Sequence, residues 1–119
     1  MPHLRLEYTA NITQKVDFQA LFADLQGALS RVGGIPMANF KSRAYRLDAY
    51  RIAEGSPDQA FVHLDIRMFE GRPDDLKQAM LAAVMDVLKS HYAATGAGPE
   101  IQFSVEIQDI RRAAYLKSP

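Results

Sequence analysis

Phe61-Val62-His63-Leu64-Asp65-Ile66-Arg67-Met68-Phe69 alternates without a break. Val62, Leu64, Ile66 and Met68 fall on one side, and His63, Asp65 and Arg67 on the other. A period of two over this length specifies a strand with one face in a core. The segment after this strand is as informative. Glu70-Gly71-Arg72 makes a short turn, and Pro73 suits the first position of a helix. Asp74 and Asp75 belong in a first turn, where carboxylates meet the positive end of the helix dipole. Leu76, Met80, Ala83, Val84, Val87, Leu88 and His91 then recur at helical spacing. The pattern predicts a long helix over Pro73–Ala93, broken by Thr95–Pro99. Ile101, Phe103, Val105 and Ile107 form the next clean strand. Strand, helix and strand in this order make a β-α-β unit, which closes a parallel pair by a right-handed crossover.

The same order precedes this unit. Leu4, Leu6 and Tyr8 alternate with polar neighbours and predict a strand almost at the start of the chain. Asn11–Asp17 reads as a loop, with Asp17 an N-cap. Phe18, Leu21, Phe22, Leu25, Ala28, Leu29 and Val32 give a helical stripe that Gly33 and Gly34 close. Pro36–Ala53 reads as extended, with Tyr45, Leu47 and Ala49 on one face, and Glu54–Asp58 as a turn. The chain is thus expected to be one α+β domain, residues 1–119. Two β-α-β pseudo-repeats, about 2–53 and 60–110, form a four-stranded sheet with two helices on one face. The other face carries residues such as Tyr45, Phe61 and Tyr50. It is expected to be covered by other subunits.

Composition narrows the function. The 119 residues are 48% hydrophobic and 24% charged, an ordinary globular balance. Fourteen basic and 14 acidic side chains cancel, which argues against a nucleic-acid partner. An RNA-binding sheet of the same element order needs exposed aromatics within a basic surface, and Asp65 and His63 interrupt the Phe61–Phe69 strand. There is no cysteine, so thiolate chemistry is excluded. His3, His63 and His91 show no ligand-like spacing, and no cofactor or metal is expected. No apolar run approaches a membrane span. A cytoplasmic location is expected.

The chemistry centres on Pro2. Initiator methionine is normally removed before a small second residue, which would leave a prolyl secondary amine. An α-amino group titrates near pH 8. Burial beside cations favours its neutral form, which a general base requires. The proline ring fixes the direction of the lone pair. Lys41, Arg43 and Arg72 are cations at element ends, able to hold a carboxylate or a developing enolate. Arg111–Arg112 reads as a solvated end.

Several blocks carry a resemblance. They are Met1-Pro2-His3, Gly34-Ile35-Pro36 leading to Lys41-Ser42-Arg43, Ala60-Phe61-Val62-His63, Gly71-Arg72 and Phe103-Ser104-Val105-Glu106-Ile107. In order and spacing the chain resembles the 5-carboxymethyl-2-hydroxymuconate isomerase family of the tautomerase superfamily. The resemblance implies a homotrimer that acts in aromatic-compound catabolism. It implies an amino-terminal proline, Pro2, that moves a proton between carbons of a small unsaturated keto or enol acid. Arg72 then binds the substrate carboxylate and assists catalysis. The family's second such arginine aligns with Lys41, which keeps the charge without the bidentate fork. Arg43 or Arg46 is the alternative for that role. The resemblance also allows a non-catalytic trimeric binding protein of the same fold.

Overall fold

The computed structural model describes residues 1–92 and 98–119. The elements run β1 (His3–Thr9), α1 (Phe18–Gly33), β2 (Lys41–Leu47), β3 (Gln59–Phe69), α2 (Asp74–His91) and β4 (Glu100–Ile110). One mixed sheet has the order β2-β1-β3-β4. β1 and β2 are parallel, as are β3 and β4, and the two pairs meet antiparallel through β1 and β3. Both β-α-β units are therefore present. The predicted helix end at Ala93 and part of the predicted break, Thr95–Ala97, lie outside the described residues.

Alternation decides which face is buried. Leu4, Leu6, Val62, Leu64, Ile66 and Met68 meet Leu21, Leu25 and Leu29 of α1 and Met80, Val84 and Leu88 of α2, all essentially inaccessible. His3, Arg5, Lys41, Arg43, Tyr45, His63, Asp65 and Arg67 take the intervening positions on the helix-free face. Asp17 caps α1 by accepting from the Ala20 amide at 3.1 Å. Gly34 ends it with φ of 68°, a left-handed conformation that glycine adopts without strain.

Three expectations need correction. The extended segment 36–53 is only a strand over Lys41–Leu47, preceded by a 3₁₀ turn at Met37–Asn39. β2 is an edge strand, and its one partner, β1, ends at Thr9, so the ladder stops there. Pro73 is the N-cap of α2, with extended ψ of 158°, instead of its first helical residue. The end at Arg111–Arg112 is not simply solvated. The Arg112 guanidinium lies over the Phe69 ring at 4.4 Å, and its amide donates to the Glu70 carboxylate at 2.9 Å. Tyr115 packs edge-on against Phe69 at 5.3 Å. Among the described residues no helix is long and apolar enough to cross a membrane.

Candidate active site

The head of β1, the exit of α1, the end of β3 and the entry to α2 converge at one end of the sheet. They enclose a cavity of about 150 Å³ lined by Pro2, Ile35, Asn39, Phe69, Arg72 and Arg112, among others. Pro2 is buried. Its carbonyl accepts the Lys41 amide at 3.2 Å, which continues the β1–β2 ladder and fixes the strand head. Arg72 follows Gly71, whose φ of 113° turns the chain from β3 toward α2. The Arg72 guanidinium donates to the Phe69 carbonyl at 3.4 Å. Among the described residues neither Arg72 nor Arg112 is ion-paired with a carboxylate.

Met1 precedes Pro2 in the structure, so the free amine stands at Met1. Burial lowers its pKa below the ordinary value, and the positive charges of Arg72, Arg112, Lys117 and Lys41 lower it further, in that order. An amine at this strand head is therefore biased toward its neutral, basic form. Ile35, Met68 and Phe69 supply apolar wall. The arrangement suits a small anion held by guanidinium groups next to a basic nitrogen.

The structure brings Pro2 and Arg72 together. Lys41 and Arg43 lie elsewhere. Both sit opposite β1, paired with His3 and Arg5, and neither lines the Pro2 cavity. Lys41 is exposed. Arg43 donates to His3 Nδ1 at 2.8 Å and lines a different cavity on the helix-free face, with Arg5, Arg67 and Arg111. His3 has a pKa below its ordinary value, through burial first and then the charges of Arg43, Lys41, the terminal amine and Arg67. A neutral ring explains both its contacts: Nδ1 accepts from Arg43, and Nε2–H donates to the Tyr115 hydroxyl at 2.9 Å. Sequence reasoning missed Arg112 and Phe69. Arg112 carries no periodic signal, because a tail that folds back on β3 declares its contacts only in three dimensions.

Known proteins resemble this chain in sequence and in fold. The profile of the 5-carboxymethyl-2-hydroxymuconate isomerase family matches residues 2–119. The chain belongs to that family. It is accordingly an enzyme, an isomerase of the tautomerase superfamily. The 5-carboxymethyl-2-hydroxymuconate Delta-isomerase of Escherichia coli is 30% identical over 117 residues, covering 98% of this chain and 93% of that protein. A crystal structure of a 5-carboxymethyl-2-hydroxymuconate isomerase from Deinococcus radiodurans R1 superposes with a TM-score of 0.86 at 35% identity, covering 98% of this chain and 88% of that one. A symmetric trimer of wild-type fused 4-OT shares the fold, with a TM-score of 0.73 at 20% identity, covering 93% and 87% of the two chains.

Proposed function

We propose that this isomerase acts on a small unsaturated keto or enol dicarboxylic acid of the 5-carboxymethyl-2-hydroxymuconate kind, with the Pro2 nitrogen as base and then acid. The observation that carries the reading is the buried head of β1, with Pro2 facing two guanidinium groups that no carboxylate neutralises among the described residues. Removal of Met1 turns the Pro2 amide into a secondary amine. The amine takes a proton from a carbon beside the conjugated system, and the bonding pair moves toward the carbonyl oxygen as a dienolate. Arg72 and Arg112 hold the neighbouring carboxylate and the growing negative charge. The prolinium then returns the proton to the far carbon of the dienolate. Nothing is oxidised or reduced, and the proton count is unchanged.

A homotrimer accompanies this reading. One chain's cavity of about 150 Å³ is small against the roughly 300 Å³ or more of ordinary ligand pockets, so a neighbouring subunit completes it. The helix-free face supports the same assembly. Tyr45 is 43% exposed there, and Asp65 Oδ1 is buried with no hydrogen-bond partner among the described residues. Lys41 and Arg43, which do not line their own Pro2 cavity, then serve a neighbour's. The enzyme works in the cytoplasm.

The test is Pro2→Ala, with Met1 removal verified by intact mass and assembly by analytical ultracentrifugation. The variant is expected to remain trimeric and lose at least about a hundredfold in kcat, as general acid–base groups typically provide. Wild-type rate in a processed Pro2→Ala trimer overturns the mechanism. No turnover by processed wild-type protein turns the reading to a binding protein of this fold.

A further inference from the structure

A larger cavity, about 540 Å³, opens at the opposite end of the sheet from Pro2. Tyr8, Ile12, Lys15, Phe18, Arg46 and Tyr92 contribute to its lining. Its position follows from the duplicated architecture. β1 and β3 run antiparallel through the sheet centre, so exchanging the two halves maps each end of the sheet onto the other. The Pro2 cavity lies where β3 ends and the chain turns into α2. This one lies where β1 ends and the chain turns into α1. The turn into α1, residues 10–17, is twice as long as the turn into α2, residues 70–73, which widens the counterpart.

Its chemistry is distinctive. Tyr92 is 3% exposed, and its hydroxyl is buried with no hydrogen-bond partner among the described residues. Buried polar groups are overwhelmingly satisfied, and this phenol beside the cavity lacks such a partner among the described residues. Lys15 pairs with no carboxylate among the described residues, and Arg46 shares its charge with Asp48 at 3.3 Å. The Tyr8 and Phe18 rings stand 5.2 Å apart, tilted by 35°. Aromatic walls, two cations and one buried phenol suit a planar, apolar acid. A basic amine is missing from the counterpart position, because the head of β3 lies within the chain and holds only amide nitrogens.

We propose that this cavity is a second, non-catalytic binding site for a small aromatic carboxylate. The ring lies against Tyr8 and Phe18, Lys15 and Arg46 balance its charge, and the Tyr92 hydroxyl donates to one of its oxygens. The site stands independently of the Pro2 mechanism.

Benzoate is the probe, titrated into ¹⁵N-labelled protein and followed by amide shifts. Shifts are expected at Ile12–Phe18 and around Tyr92. Tyr92→Phe, which keeps the ring, is expected to raise Kd about tenfold, the loss of one hydrogen bond to a charged acceptor. Lys15→Gln, at an exposed position, is expected to raise it severalfold, and Arg72→Ala to leave it unchanged. The variants' amide spectra report whether each is folded. Shifts confined to the Pro2 end, or abolished by Arg72→Ala, overturn the proposal. So does an unchanged Kd in Lys15→Gln together with Tyr92→Phe.

Discussion

Arg72→Ala separates two consequences of one guanidinium. The group stands in the Pro2 cavity and is anchored by the Phe69 carbonyl. If it holds a substrate carboxylate, its loss removes a charge-assisted hydrogen bond, about 1.5–3 kcal/mol. Arg112 remains in the same cavity and retains part of the attraction. At about 1.4 kcal/mol per decade, kcat/KM should fall by roughly tenfold to a hundredfold. The second consequence is electrostatic. After burial, Arg72 is the foremost cause of the lowered pKa of the terminal amine. In the processed chain the amine moves to Pro2, which is buried. A base works only when neutral, so activity falls as pH drops through the amine pKa. Deleting Arg72 raises that pKa, and the acid limb of the kcat/KM profile moves to higher pH. Arg72→Lys should restore the limb and recover only part of the rate, since lysine supplies charge without a fork. The assay is ultraviolet decay of a conjugated enol acid across a pH series. A variant within about threefold of wild type, with an unmoved acid limb, would refute the reasoning.

Two further perturbations probe the scaffold. Leu64 is fully buried in β3, opposite Leu6 of β1 and Val105 of β4, and Leu64→Ala should cost about 3 kcal/mol through lost contacts and a residual cavity. Calorimetry should show Tm falling by roughly 10 °C or more. His3 has a folded pKa below its unfolded value of 6.5, so below that pH the unfolded chain binds a proton that the folded chain refuses. Stability should therefore fall as pH drops below about 6.5, and urea midpoints of His3→Gln should show a shallower fall.

The fold was readable wherever burial follows a local period. Val62, Leu64, Ile66 and Met68 advertise β3, and the apolar stripes of α1 and α2 advertise the layer that covers it. Pro2 and Arg72 were readable because each stands at an element end whose position the periodicity fixes. β2 was overextended because its length is set by β1, a strand distant in the chain. Lys41 and Arg43 were placed on the right strand, yet a period of two puts both on the helix-free face. Which cavity such a residue joins depends on the tail and on neighbouring strands. Arg112, Tyr115 and the buried hydroxyl of Tyr92 left no pattern at all. Their environments arise from contacts between distant segments, such as Tyr115 with His3, which are 112 positions apart.

That tie between Tyr115 and His3 also bears on kinetics. Closing a loop of nearly the whole chain is entropically costly, so such a contact is expected late in folding, after the strands have paired. An interaction absent from the transition state leaves the folding rate alone and lengthens the life of the native state. The carboxy-terminal segment is thus a latch on a finished molecule. It holds the first strand, and the nitrogen at its head, against fraying on the timescale of local opening.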